Sequence, residues 1–497
     1  MLRGKKETRL CLMLYSRSMS DQPPEVSQEI LPVPSQPAPL SPWVTAVCGA
    51  FAGAYLGFAA LTAPPSPLDR LEQPEESLER LVTREMDLRE ALRQAPEWKR
   101  ALYTTLSGGE DYLADPIAWY DELIGAGASP VAQLYHVVLL AENGQTGRVN
   151  SSLVPWEFQG ESAFRMGKWV RAGYWGLDLD REGVRGLLME IRSDLPPGWF
   201  ADILAARVAA KSGDRAAQRE AEAAIGARGT ALLDRWLGLT LMQGVLLVVG
   251  AVALAGILSR RMSVAAGEAS LPPVWTAQDG YGLFIRGVFG FLLIGFAATF
   301  LFPKESPYSG IATLTAGIPL VFWIGRYLSV RGLSLPATFG LRLPAGGLWR
   351  VAGATAVVIG LSVLGETAIT LVSGTLSYKP HWADGLLENL LWGPPWLVVC
   401  EVLDSVVWAP LIEELAFRGV LYATLRMTVG VWPAVGLSAG IFALVHGYGA
   451  VGFASVLWSG ILWAVAYERT RSLLPAILGH MFNNLLVSAE FIWLLRM

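Results

Sequence analysis

Long uncharged stretches alternate with one charged, amphipathic region along this chain. Apolar runs long enough to cross a hydrocarbon core of ~30 Å as helices start at residue 43 and return from residue 232 onward. The predicted fold class is all-α: a polytopic membrane helix bundle with a soluble helical domain inserted after the first span. About nine spans are predicted, at residues 43–62, 237–258, 281–302, 309–328, 349–374, 396–424, 431–448, 453–467 and 473–494.

The region after the first span has a different pattern. Charged residues are frequent there, and apolar residues recur at helical spacing in residues 78–88 and 201–210. Residues 64–231 are therefore expected to form the soluble helical domain. Two stretches resemble tetratricopeptide helices faintly, but no clean repeat is visible. His136 in this region is expected to be a helix-surface or packing residue.

The placement of Lys and Arg predicts the orientation of the chain. Basic residues cluster before the first span and in the loops after the second, fourth, sixth and eighth spans, which all lie on one face. Because short cytoplasmic loops are enriched in Lys and Arg, this face is assigned to the cytoplasm. The N-terminus is then cytoplasmic, residues 64–231 are extracytoplasmic, and the expected location is the cell inner membrane.

These patterns divide the rest of the chain into four further regions. Residues 1–42, basic and then Pro-rich, are expected to be a disordered tail. Residues 43–63 are too far from the N-terminus for a standard signal peptide and are interpreted as a retained membrane anchor helix. Transmembrane helices are expected over residues 232–380, and a membrane core that carries the candidate chemistry over residues 381–497.

Composition narrows the class of protein. The 497 residues are 53% hydrophobic and 16% charged, with a mean hydropathy of +0.40, which excludes an ordinary soluble protein. The high hydropathy makes the lipid bilayer an expected partner. The net charge of −4 offers no basic stripe, so nucleic acid is not an expected partner. Cys11, Cys48 and Cys400 are too scattered for a disulfide framework or a cysteine zinc site.

A glycine face marks the first span. Gly49, Gly53 and Gly57 lie at four-residue spacing, which lets two helices approach closely. A homodimer through this face is one interpretation; the other is that Gly is simply frequent in membrane helices. The sequence identifies no partner for the soluble domain.

Three polar islands interrupt the apolar spans near the C-terminus. Buried charges in a membrane are costly and generally face an interior cavity in which they do chemistry. Counted from the neighbouring basic loops at 1.5 Å per residue, the islands lie roughly 20, 22 and 14 Å from the cytoplasmic face. Two Glu, two His and one Asn are therefore expected to meet in one cavity. The islands are Glu413-Glu414 with Arg418, Phe442 with His446, and His480 with Asn484.

The spacing within the first island separates two roles. Glu414 and Arg418 are i,i+4 neighbours and suit a buried ion pair. Glu413 is rotated by about 100° and is left to face the cavity, where a desolvated carboxylate suits a general base. His446 is expected to share and orient a water with Glu413.

The third island suits a different task. His480 and Asn484 are again i,i+4, so their side chains project together and can donate to an oxyanion on a peptide carbonyl. The structural alternative is that each His only packs and that Glu414 and Arg418 form a structural ion pair. The joint occurrence of all three islands favours a site.

These signatures resemble a known family. Glu-Glu-x-x-x-Arg, Phe-x-x-x-His and His-x-x-x-Asn, in this order on successive membrane helices, are similar to the CAAX-protease and bacteriocin-processing (CPBP, or Abi) family of intramembrane proteases. The resemblance covers roughly residues 390–495. It implies an intramembrane glutamic endopeptidase, historically classed as a metalloendopeptidase, in the core at residues 381–497. It also implies a membrane-associated protein or peptide substrate, with prenylated CaaX-like proteins as one class.

The resemblance also implies site residues. Glu413 corresponds to the catalytic glutamate and His446 to its water-activating partner, while His480 and Asn484 correspond to the oxyanion-stabilising pair. Glu414 and Arg418 fill the remaining motif positions.

Three alternatives stay open. Glu413, His446 and His480 could hold zinc, but the cation of Arg418 beside the site and the neutral donor Asn484 favour a metal-free mechanism without a cofactor. A proton-coupled transporter would also use buried acids, although no paired Gly/Pro-interrupted helices are evident. A non-catalytic membrane scaffold or immunity protein of the same fold is the third.

Overall fold

The structure is a computed structural model. Every regular element among the residues that it describes is a helix. The all-helical prediction is confirmed for these residues. Residues 1–37 of the predicted tail, which was placed at residues 1–42, lie outside the described residues. The described ranges are residues 38–62, 66–107, 113–158, 160–259, 264–301, 315–376 and 378–496.

The region predicted to be soluble folds into helices that share one apolar core. Leu78, Tyr120, Leu134 and Trp169 are fully buried in it. Local sequence signals set several helix ends: the Ser129 hydroxyl, for example, accepts from the N–H of Ala132 and so caps the helix that Pro130 begins. The helices are α2 (Pro74–Gln94), α3 (Glu97–Ser107), α4 (Ala114–Gly125), α5 (Pro130–Glu142), α6 (Thr146–Trp156), α7 (Glu161–Tyr174), α8 (Arg181–Asp194) and α9 (Trp199–Ser212).

One continuous helix joins this helical domain to the membrane part. Helix α10 (Arg215–Leu258) is 44 residues long and has no break at residue 231, where the predicted soluble domain ends. A Cβ built on Gly229 would lie 2.0 Å from the carbonyl oxygen of Asp87, so only glycine allows α10 to approach α2 this closely. Arg228 also donates to Asp87 and Asp202. The domain therefore packs directly against the start of the helix that continues into the membrane part.

A loop from the membrane part completes the core of the helical domain. Trp382 and Ala383 are buried within that core. Glu388 accepts from the backbone N–H groups of Glu72 and Gln73 at the start of α2. His381 of the same loop also contacts the domain, since its Nε2 lies 2.8 Å from Glu122 in α4.

Seven helices of the described residues are long and apolar enough to span a membrane. A shorter apolar helix, α17 (Val431–Val445), lies at the predicted span 431–448. The predicted span 309–328 lies partly outside the described residues, and its described part contains α12 (Ile318–Ser329). Two short helices, α13 (Leu335–Thr338) and α15 (Glu388–Trp392), lie in loops. The seven are α1 (Pro42–Thr62), α10, α11 (Ala277–Leu301), α14 (Gly347–Thr375), α16 (Pro395–Val429), α18 (Ala450–Thr470) and α19 (Leu474–Arg496).

Helix α1 packs against α11 of the same chain. Phe51 contacts Phe289 with ring centroids 6.1 Å apart. A Cβ on Gly49 would lie 3.5 Å from Ile285, whereas the same position on Gly53 and Gly57 meets no atom within 4 Å. One of the three glycines therefore serves a contact within the chain.

Candidate active site

Helix α16 carries the two glutamates and departs twice from α-helical geometry. Its turns at Asp404–Trp408 and Glu414–Tyr422 are π-helical. At the first, Ala409 donates its N–H to the carbonyl of Asp404. Pro410, one residue further on, has no N–H to offer to Ser405. The carbonyl of Ser405 is therefore left without its helical donor.

Asn484 of α19 fills this gap. Its Nδ2 donates to the carbonyl oxygen of Ser405 at 2.7 Å. Both Asn484 and His480 face α16, as their i,i+4 spacing predicts, but the Asn484 amide is directed at the backbone of α16. The bond uses one of the two N–H groups on this nitrogen. Asn484 thus fixes the π-helical turn that precedes the glutamates.

The ion pair between Glu414 and Arg418, predicted from their spacing, is confirmed. Arg418 Nη1 donates to Glu414 Oε1 at 2.8 Å, and both side chains are fully buried. A second nitrogen of Arg418 donates to the carbonyl of Gly460 in α18 at 3.2 Å. The guanidinium also lies over the rings of Phe442 and Trp463, 4.3 and 4.9 Å from their centroids. The buried cation is therefore held by a carboxylate, a carbonyl and two aromatic faces.

His480 connects the two glutamates. Its Nδ1 lies 2.9 Å from Glu414 Oε1, and its Nε2 lies 3.8 Å from Glu413 Oε2. The ring stacks on Trp463 at a centroid distance of 3.9 Å and an angle of 15°. One nitrogen of the ring is therefore used by Glu414, and the other faces Glu413.

Glu413 is the most open member of this group. Its side chain is 32% exposed, against 0% for Glu414 and 4% for His480. The sequence-based expectation that Glu413 turns away from the ion pair agrees with this exposure. A water or a substrate can reach its carboxylate, which the buried Glu414 does not allow.

His446 lies at the C-terminal end of α17 with one ring nitrogen fixed. Its Nδ1 lies 2.7 Å from the carbonyl oxygen of Phe442, one helical turn earlier. Because a carbonyl only accepts, Nδ1 carries the hydrogen, and Nε2 of the neutral ring is left as an acceptor. Phe442 also contacts the His480 ring edge-on, with centroids 5.9 Å apart. His446 therefore borders the same aromatic cluster as the rest of the site.

Two further residues near Glu413 were not identified from the sequence. Asp404 and Tyr448 both lie within electrostatic range of the Glu413 carboxylate. Tyr448 also contacts the ring of His446 at a centroid distance of 5.7 Å. No α-helical spacing pattern signals either of them, because Asp404 lies in a π-helical turn and Tyr448 lies in the loop after α17.

The described residues contain no group of three His, Cys, Asp or Glu arranged to hold a metal ion. Glu413, His446 and His480, the alternative zinc set, therefore do not form such a group among the described residues. His480 instead uses Nδ1 for Glu414, and His446 uses Nδ1 for a backbone carbonyl. Glu413 and His480 remain the pair best placed to act on a bound molecule.

Comparison with known families supports this assignment of the region. Residues 394–486 match the family described as type II CAAX prenyl endopeptidase Rce1-like. The matched segment contains all six candidate site residues, and it confirms the resemblance to CAAX proteases expected from the three signatures. Comparisons with curated proteins and with solved structures found no match.

Proposed function

We propose that this CAAX-protease-like chain is an intramembrane endopeptidase that hydrolyses peptide bonds of membrane-associated proteins through a Glu413-activated water. The observation that carries the proposal is the contact between partly open Glu413 and buried His480, 3.8 Å apart. A carboxylate that water can reach, beside a ring that can donate, is the minimal arrangement for general-base attack on a carbonyl.

In the proposed reaction Glu413 accepts a proton from water while the water oxygen attacks the scissile carbonyl carbon. His446, whose Nδ1 is fixed by Phe442, accepts at Nε2 a hydrogen bond from the second O–H of the water and so orients the attacking oxygen, which keeps that hydrogen. The carbonyl oxygen becomes an oxyanion, toward which protonated His480 donates from Nε2. Glu413 then passes its proton to the leaving amine nitrogen, which separates the two products.

The ion pair has a supporting role in this scheme. Glu414 binds Nδ1 of His480, which keeps the ring oriented with Nε2 toward Glu413. Arg418 balances the charge of Glu414 within a fully buried environment. The free N–H of Asn484 is a second candidate donor for the oxyanion, since its first N–H is bound to Ser405.

The proposal includes the membrane arrangement. Nine spans, a cytoplasmic N-terminus, an extracytoplasmic helical domain and a cell inner-membrane location follow from the hydropathy and from the Lys and Arg placement. A homodimer through the glycine face of α1 would use Gly53 and Gly57, because Gly49 already faces Ile285.

Cleavage by the purified, reconstituted chain tests the function. Prenylated and unprenylated fluorogenic peptides are compared, and mass spectrometry locates the cleaved bond. We expect Glu413→Gln to lower the rate by at least about 10²-fold, the low end of general-base contributions. Glu366→Gln is the matched control: this intramembrane glutamate is bound by Ser455 at 2.7 Å on a neighbouring helix, and its loss should leave cleavage intact.

Each outcome has a definite meaning. Cleavage of the prenylated peptide alone would define a CaaX-like substrate class, and cleavage of both would define a broader endopeptidase. No cleavage by wild type under any condition would overturn the proposal in favour of a transporter or a non-catalytic scaffold. Equal rates for wild type and Glu413→Gln would refute the role of Glu413.

A further inference from the structure

Burial divides helix α16 sharply at the catalytic glutamates. Among residues 395–413 only Pro410 is buried, whereas every residue of 414–424 except Phe417 is buried. The chain is apolar on both sides of this point, so hydrophobicity does not explain the difference. Neighbouring helices pack closely around one half of α16 and stand away from the other half.

Three neighbouring helices show the same division at the same level. No residue of α18 is buried before Ser459, and none of α14 after Gly365. Helix α19 is closely packed up to His480, and beyond it only Ser488 is buried. Glu413 and His480 therefore lie at the boundary between an open, loosely packed half of the bundle and a closed, packed apolar half.

The open half of the bundle is the half next to the helical domain. Arg70 of that domain donates to the carbonyl of Gly447, the residue after His446, at 3.3 Å. Arg496, at the open end of α19, donates to Gly393 just before α16 begins. At the closed end, Arg426 and Tyr422 both bind Glu468 and cross-link α16 to α18.

Polar groups line the start of this open half. Asp404 lies within electrostatic range of both Glu401 and Glu413. Carboxylates inside a membrane generally face a water-filled cavity, so these three carboxylates mark a hydrated path along the open half.

We infer that water and substrate reach Glu413 from the membrane face that carries the helical domain, and that the substrate is a polypeptide segment presented at that face. The inference rests on the proposed function. Under the orientation given by the Lys and Arg placement, this face is extracytoplasmic. The helical domain, bound to the loop after His446 through Arg70 and Gly447, then stands at the entrance to the site.

Sided proteoliposomes test the inference. Ser107→Cys, in exposed α3 of the helical domain, is placed in a variant lacking the other cysteines. An impermeant biotin reagent then separates vesicles with the domain outward from those with it inward. The fluorogenic peptide of the cleavage assay is coupled to a soluble protein, so that it cannot cross the bilayer, and is added outside. Vesicles with Glu413→Gln serve as the control for cleavage at this site.

We expect domain-outward vesicles to cleave the external substrate at a rate that detergent leaves unchanged. Domain-inward vesicles should cleave it only after detergent opens them. Cleavage by intact domain-inward vesicles alone, or equal cleavage by both, would overturn the inference while leaving the protease assignment standing. Absence of cleavage even in detergent would instead contradict the proposed function itself.

Discussion

Replacing Arg418 by Met tests how the buried charges hold the bundle together. Methionine keeps much of the side-chain volume between Phe442 and Trp463, so the change removes charge more than packing. Glu414 would lose the 2.8 Å partner of its Oε1 while remaining fully buried, and Gly460 would lose a donor to its carbonyl. Stranding one member of a buried pair costs about 3–5 kcal/mol, and the lost cation–π contacts add about 0.5–2 kcal/mol.

Equilibrium unfolding in mixed micelles with increasing SDS measures this loss. The matched control is Glu414→Gln combined with Arg418→Met, which removes both charges and leaves neither stranded. Because replacing a whole buried pair is often close to neutral, the double variant should be clearly more stable than Arg418→Met alone. A single variant as stable as wild type, or a double variant worse than the single, would refute the reasoning.

Further predictions concern catalysis, topology, metal and pH. Glu413→Gln should unfold like wild type, because Gln keeps the shape of a side chain that is 32% exposed; a marked loss of stability would assign it a structural role. Cysteine at Ser107 should react with an impermeant reagent on intact cells, and protection until the membrane is opened would reverse the topology. Purified active protein should contain well under one metal per chain and survive chelation; stoichiometric zinc whose removal and return control activity would contradict this. Burial, and then Asp115, raise the pKa of Glu85 in the helical domain from 4.5 to about 7. Neutral Glu85 therefore contributes fully to the free energy of unfolding below pH 4.5, and this contribution is lost as the pH rises through about 7. Relative to wild type, Glu85→Gln should stabilise the protein by up to about 2 kcal/mol more at pH 8 than at pH 5. An equal effect at both values would exclude the shift.

The sequence predicts contacts within one helix well. The i,i+4 spacing of Glu414 and Arg418 predicts the ion pair that the structure shows. The depth estimate places Glu413 and His480 at similar levels, and they are 3.8 Å apart. The first prediction succeeds because side chains four residues apart stay neighbours on a helix surface, and the second because each helical residue adds a nearly constant rise.

Features that depend on departures from regular geometry are harder to predict. The bond from Asn484 to Ser405 exists because a π-helical turn before Pro410 leaves a carbonyl without a donor. Pro410 is visible in the sequence, but the helix that supplies the missing donor is not. Tyr448 lies within electrostatic range of Glu413 from a loop, and a loop has no periodicity from which its position could be predicted.

Contacts between distant parts of the chain could not be predicted from the sequence either. Trp382 lies in a short loop between two spans, yet it is buried in the core of the helical domain. His381 in the same loop contacts Glu122, which lies more than two hundred residues earlier in the chain. The continuity of α10 across residue 231 was missed because charge and hydropathy change there while the helical backbone does not.

The most direct test of the central claim follows oxygen from water during a single turnover. Excess enzyme is mixed with peptide in H₂¹⁸O, and mass spectrometry examines both the new product carboxylate and the enzyme peptide that contains Glu413. If Glu413 acts as a general base, the product gains one solvent oxygen in the first turnover and Glu413 stays unlabelled. Label in the Glu413 carboxylate would show a covalent intermediate, and product without solvent oxygen would contradict hydrolysis by an activated water.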